Sequence, residues 1–251
     1  YPVEKVLSKW TDILITINKE DYERAEKKFH PGKIAYVPGA GVDLEKFESD
    51  VIDSSEKRKE LGIEPDDIML LSVGELNNNK NHKVIIEALC RLKESEMEYV
   101  DQLHYFIAGK GEMQAKLIEL AEEKRIKLHL LGFRNDVPEL LKAADIFILP
   151  SFREGLNVSL MEAMACRIPV ACSRIRGNTD LILEGKGGFL FDPKEKEEIE
   201  DKLERLIRMS KDELYNLGEY NFRTVQKFCS GVVERKMRNI YKSVSKKTNG
   251  V

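Results

Sequence analysis

Tryptophan occurs once in this chain, cysteine and histidine four times each, and charge of one sign is nowhere gathered into a block. Each scarcity closes a class of function. Cys90, Cys166, Cys172 and Cys229 lie far apart in apolar or helix-patterned stretches. That excludes a zinc module or a disulfide scaffold and predicts structural thiols in a reducing compartment. His30, His82, His104 and His129 are dispersed, without ligand spacing or a nearby cysteine, so no metal site is expected. The 41 basic and 44 acidic residues are interspersed and leave a net charge of −3. Without a basic stripe, no nucleic-acid partner is expected, and any anionic ligand has to be met locally. No apolar run approaches the roughly 18 residues of a membrane span, and no signal peptide opens the chain. A cytoplasmic location without a transmembrane segment is expected. The chain starts at Tyr1 in the middle of a pattern, so it reads as a piece of a longer protein.

What is present is a rhythm of short apolar runs, each followed by a helix-like stretch: IMLLSVG (68–74), LHYFIAG (103–109), KLHLLG (127–132), DIFILP (145–150) and IPVACS (168–173), with GGFLF (187–191) as a sixth. Such alternation predicts an α/β fold with a doubly wound, Rossmann-like parallel sheet, and ligands at the carboxyl ends of its strands. Ahead of this unit, DILITI (12–17), a helix over about 19–29, and KIAYVP (33–38) supply only two strands. Two strands cannot close a core, so residues 1–48 are expected to be the tail of a preceding α/β domain, and 49–251 a second domain with C-terminal helices. The charged stretch Glu48 to Glu56 is the expected linker. Three amphipathic helices are expected after Pro193.

The segment REGLNVSLMEAMACRIPV (153–170) carries two carboxylates, Glu154 and Glu162, separated by seven uncharged residues. With Asn157 as N-cap, Val158, Leu160, Met161, Ala163, Met164, Ala165 and Cys166 surround almost the whole circumference of a helix, which is then buried. Glu162 and Ser159 share its polar sector. A carboxylate on a buried helix has to be compensated by donors or by a pocket that a ligand fills. Glu154 precedes the cap in a turn made by Gly155, and Glu162 lies roughly 7 to 8 Å further along the axis. Between them the helix amides form a site suited to phosphate. This order fits a ligand with hydroxyls at one end, phosphates in the middle and a diol at the other, as in a nucleotide sugar. The alternatives are a Glu162 bonded to protein amides or an arginine, and a Glu154 that is a plain surface turn residue.

At EGLNVSLME the chain resembles the retaining glycosyltransferases of the GT-B fold, family 4 type, and the stretch 150–182 resembles their bacterial capsule and exopolysaccharide members. TDILITINKEDYERA, VPGAGVDLEKF, SVGELNNNKNH, AGKGEMQAKL and GFRNDVPELLKAADIFILPS also resemble that family, in its order. The resemblance implies an N-terminal acceptor domain, mostly missing here, and a C-terminal nucleotide-sugar domain. The last helix, around Val232 to Val244, would cross back to the first domain. It implies that Glu162 accepts the ribose hydroxyls, that Glu154 is the catalytic-centre acid contacting donor-sugar hydroxyls, and that Gly155, Leu156 and Asn157 meet sugar and phosphate through their amides. In the family's mechanism the leaving diphosphate takes the acceptor proton on the same face, and no protein nucleophile is needed.

Lys80 matches the family's phosphate-neutralising lysine, but the arginine usual directly after Gly74 is replaced by Glu75, a departure from the family's phosphate clamp. Helix amides or Arg153 are the available compensation. Gly109 and Gly111 are expected as a tight turn near the ligand. Arg134 is a candidate to stack on the base, with an exposed loop arginine as the alternative. His82 is expected as an exposed histidine at a helix start. The NVS triplet at Asn157 fits a glycosylation acceptor, but a cytoplasmic chain and a helix start argue against it.

The expected function is transfer of a sugar from a UDP- or GDP-linked donor to a saccharide or lipid-linked saccharide acceptor, without a metal or other cofactor. In the full-length enzyme the inner face of the membrane would be the place of work. The competing readings are a truncated nucleotide-sugar binding module without turnover and a nucleotide-sugar epimerase on the same fold.

Overall fold

The computed structural model describes residues 2–48, 54–95 and 100–248, with backbone alone for residue 48 and residues 245–248. In chain order the elements are α1 (Pro2–Leu7), β1 (Ile13–Thr16), α2 (Lys19–Lys28), β2 (Lys33–Tyr36), α3 (Leu44–Glu48), α4 (Ser54–Glu60), β3 (Ile68–Val73), α5 (His82–Glu94), β4 (Leu103–Ala108) and α6 (Gln114–Lys124). They continue with β5 (Leu128–Gly132), α7 (Val137–Ala143), β6 (Ile146–Leu149), α8 (Val158–Ala165), β7 (Val170–Ser173), α9 (Asn178–Leu181), β8 (Gly188–Phe191), α10 (Lys196–Ile207), α11 (Lys211–Val225) and α12 (Ser230–Thr248). All eight strands expected from the sequence are present. The expected linker at 48–56 lies mostly outside the described residues, and its last part is corrected: 54–56 begin α4, a helix whose Arg58 bonds the Ala143 carbonyl and the Asp145 carboxylate, each at 2.9 Å.

Six strands form one sheet in the order β5-β4-β3-β6-β7-β8, every neighbouring pair parallel. Alternate residues of each strand serve opposite faces, because the side-chain period of a strand is two. Leu71, Phe106, Phe147 and Cys172 join the core on the α7–α8 side, while Leu70, Tyr105, Ile148 and Ala171 join the core shared with α5 and α10. Burial on both faces explains why these strands are nearly continuous apolar runs. Strand order reverses between β3 and β6. The loops that follow these two strands therefore diverge and open a crevice at their carboxyl ends.

β1 and β2 form a separate two-stranded parallel sheet. It is held to the larger unit by polar contacts and backbone: Lys19 N–H donates to Asp180 at 2.7 Å, Arg176 donates to Asp21 at 3.1 Å, and Val42 forms a bridge with Cys229. From there α12 runs back toward the first sheet, with the Lys236 ammonium 5.2 Å from the centre of the Tyr36 ring. Among the described residues no helix is long and apolar enough to cross a membrane.

Candidate functional site

The crevice is lined by α8 and by the loops after β3, β4 and β6. α8 starts where the Asn157 side chain accepts the Leu160 N–H at 3.0 Å, and the Ser159 hydroxyl lies 2.7 Å from the same oxygen. Leu160, Met161, Ala163, Met164 and Ala165 are fully buried. Val158, however, is 42% exposed, which departs from the apolar circumference expected. It stands one turn before Glu162 on the same face, so Val158 and Glu162 together mark the stripe of α8 that looks into the crevice. Glu162 is half-buried, and among the described residues its carboxylate has no hydrogen-bond or ion-pair partner. Burial raises its pKa, opposed by the charge of Lys46 on α3. Nor do the amides of residues 155–159 have a protein acceptor among the described residues.

Opposite this face, the Lys80 ammonium and the Glu154 carboxylate pair at 2.8 Å, both side chains mostly buried at 16% and 13% exposure. Lys80 is held by a short turn in which the Asn77 side chain accepts its N–H at 3.0 Å, and its stem packs over Gly74. Asn79 reaches across to bond the Arg153 carbonyl at 3.0 Å, tying this loop to the one bearing Glu154. Gly109 has to be glycine, since a Cβ there would stand 1.8 Å from the Gly74 carbonyl oxygen. Gly177, with φ of 84°, plays the same part on the other side, where a Cβ would stand 1.5 Å from the Gly155 carbonyl oxygen. The loops around Lys80 and Glu154 are thus wedged by backbone packed on backbone.

Of the residues singled out in the sequence, Gly74, Lys80, Gly109, Glu154, Gly155, Leu156, Asn157 and Glu162 line or support this one crevice. Leu156 is 8% exposed and packs on Gly39, while Ile17 touches Gly155, so the first sheet abuts the turn. Arg134 is engaged elsewhere: its guanidinium bonds Asp136 through two nitrogens and Glu60 at 3.0 Å. Lys57 closes this network on Asp136 at 2.8 Å, and the arginine holds the Asp136 carboxyl far below the usual range. Glu75, at the family's arginine position, accepts from Asn77 Nδ2 at 2.8 Å and is exposed.

His82 corrects its expectation. It is 3% exposed rather than a surface residue, because the loop of residues 74–81 folds over it and Tyr105 packs beside it. Sequence reasoning missed Arg176, whose guanidinium lies 3.4 Å from the Glu154 carbonyl while bonding Asp21. Its only sequence signal was a place just past an apolar strand.

The sequence and the fold both have counterparts among known proteins. The family model described as glycosyl transferases group 1 matches residues 53–223. EpsD of Bacillus subtilis (strain 168), named as a glycosyltransferase, is 36% identical over 246 residues, covering 96% of this chain and 63% of its own. The UDP-Gal:alpha-D-GlcNAc-diphosphoundecaprenol alpha-1,3-galactosyltransferase of Escherichia coli is 32% identical over 254 residues, 94% of this chain and 64% of its own. The crystal structure of Anabaena HepE in complex with UDP and glucose superposes with a TM-score of 0.83 at 20% identity, covering 96% of this chain and 66% of that one. The chain thus spans a little under two thirds of the length of these curated relatives. It belongs to the group 1 glycosyltransferase family and carries the α/β fold of GT-B glycosyltransferases.

Proposed function

We propose that residues 49–251 are the donor domain of a retaining glycosyltransferase and that 1–48 are the end of its acceptor domain. The donor is a UDP- or GDP-linked sugar, and the acceptor a saccharide or lipid-linked saccharide used in bacterial surface polysaccharide synthesis, at the cytoplasmic face of the membrane. The observation that carries this reading is the carboxylate of Glu162, half-buried and without a protein partner, beside the unpartnered amides at the start of α8. The naming of a relative for a UDP-linked donor and a diphosphoundecaprenol-linked acceptor, and a fold shared with a UDP complex, support it.

In this reading the ribose diol donates to Glu162, which fills the hydrogen-bonding capacity that burial leaves open. The diphosphate lies between Lys80 and the amides of 155–158, where the helix start and an ammonium offset charge as it builds on the leaving group. Glu154 accepts from the sugar hydroxyls beside the anomeric carbon. Arg134, bound to Asp136 and Glu60, takes no part in this arrangement. The acceptor hydroxyl attacks the anomeric carbon on the face from which the diphosphate leaves; the carbon–oxygen bond to phosphate breaks, and a phosphate oxygen takes the acceptor's proton. The products are the glycoside and the free nucleoside diphosphate. Neither a metal nor another cofactor enters these steps.

Calorimetry with UDP, GDP and ADP tests the reading. Binding of UDP or GDP, lost on Glu162→Ala, supports it, whereas no binding of any of the three overturns it. Glu154→Ala is expected to weaken the sugar nucleotide more than the free nucleotide, and equal effects on both would contradict its role. Because the chain spans less than its relatives, these 251 residues alone are expected to bind without turnover, which is the truncated-module alternative. The epimerase alternative requires acidic residues and a histidine placed for proton abstraction, and His82 is buried beneath the Lys80 loop.

A further inference from the structure

His82 opens α5 directly after the loop that carries Lys80, and it lies beneath that loop. Its Nε2 is 3.3 Å from the Glu75 carbonyl oxygen and its Nδ1 is 3.0 Å from the Tyr105 phenol oxygen. Tyr105, fully buried on β4, lies 2.9 Å from the Ser72 hydroxyl on β3, which bonds the Ile148 carbonyl of β6 at 2.7 Å. This run of contacts links the Lys80 loop to three adjacent strands, across the point where strand order reverses.

The two tautomers of the imidazole differ in which of these contacts is left without a proton of its own. Burial, with a smaller push from Lys80 and against the bond to Glu75, lowers the His82 pKa to about 4, so the ring is neutral and has one N–H. A carbonyl oxygen only accepts. With the proton on Nε2, His82 donates to Glu75, Tyr105 donates to Nδ1, and Ser72 shares its proton between the Ile148 and Tyr105 oxygens. With the proton on Nδ1, His82 donates to Tyr105, Tyr105 to Ser72 and Ser72 to the Ile148 carbonyl, and the contact without a hydrogen is then Nε2 against the Glu75 oxygen at 3.3 Å, so only the Nε2–H form ties the ring to the loop.

We propose that His82 is a positioning residue for donor binding: as the Nε2–H tautomer it grips the Glu75 carbonyl and so holds the 74–80 loop with Lys80 facing Glu154. The proposal rests on the donor-site reading for its consequence and on the hydrogen-bond run for its mechanism. It places no demand on the side chain at position 75. What the loop requires there is the main-chain carbonyl, and the side chain points away to Asn77.

The test has two arms on the 251-residue chain. In the first, 15N NMR of the unmodified protein at neutral pH is expected to show His82 protonated on Nε2, and an Nδ1-protonated ring overturns the proposal. In the second, UDP is titrated into two variants by calorimetry, with thermal midpoints measured alongside. His82→Gln, whose amide nitrogen reaches the Nε2 position, is expected to hold affinity within about twofold of the parent. His82→Asn, whose amide occupies the Nδ1 position, is expected to lose roughly three- to tenfold, as for one hydrogen bond. A merely structural histidine would lower both midpoints and move UDP affinity equally, which overturns the proposal. If the parent binds neither UDP nor GDP, the donor-site reading fails, and the tautomer still decides whether His82 grips the loop.

Discussion

Glu162 shows most sharply how burial opposes charge at a single residue. Its pKa is raised by burial, so the folded state disfavours the charged form. The sign follows: the penalty is absent at acid pH, where the group is protonated both folded and unfolded, and is complete once pH exceeds the folded pKa. Glu162→Gln is therefore expected to raise the thermal midpoint at pH 7 but not at pH 3, as differential scanning calorimetry will show. The same change is expected to reduce nucleotide affinity by at least about tenfold, since a hydrogen bond to a charged group is worth roughly 1.5–3 kcal/mol. His82 has the opposite profile. Its pKa is depressed from 6.5 to about 4, so its contribution is complete above pH 6.5 and is lost as pH falls toward 4, in all about 3 kcal/mol. Chemical denaturation at pH 7 and pH 4 is expected to show that loss, and to show less of it in His82→Gln. Glu162 was legible in the sequence because a helical wheel needs only local spacing. His82 and Arg134 were not, because what decides them, Tyr105 over one and Glu60 beside the other, is brought from 23 and 74 residues away.

At the scale of elements, the site is made by loops that touch through their main chains. Gly177→Ala is expected to place a methyl where the Gly155 carbonyl stands and, with a positive φ besides, to cost at least about 1–3 kcal/mol of strain. Urea denaturation measures that cost, and a loss of UDP affinity beside it would show that the 154–157 turn had moved. Lys80→Ala leaves the mostly buried Glu154 carboxylate without its ion pair, at an expected cost of about 1–3 kcal/mol in the same assay. The strands were readable because a sheet covered on both faces leaves continuous apolar runs. The start of α8 was readable from Asn157. The tie from Arg176 to Asp21 and the Glu154 carbonyl was hidden, since it joins segments that have no sequence relation.

Across the whole molecule, the parallel sheet sets the crevice and the first sheet borders it. Ile17 lies against Gly155 and Gly39 against Leu156, so residues 13–39 contribute a wall to the site. The division into an acceptor part and a donor part rested on the count of strands. It did not reveal that α3, through Lys46, bears on Glu162. Resemblance of motifs indicated the family before any fold was known, because those motifs sit on the loops after the strands where ligands meet this class of sheet.

The claim on which the account turns is that the start of α8 and Glu162 are completed by a nucleoside diphosphate. A crystal structure of this chain with UDP tests it most directly. The account predicts the ribose hydroxyls on the Glu162 carboxylate and the diphosphate between Lys80 and the amides of 155–158. A UDP bound away from α8, or a Glu162 that turns to bond protein groups while UDP sits elsewhere, would contradict it.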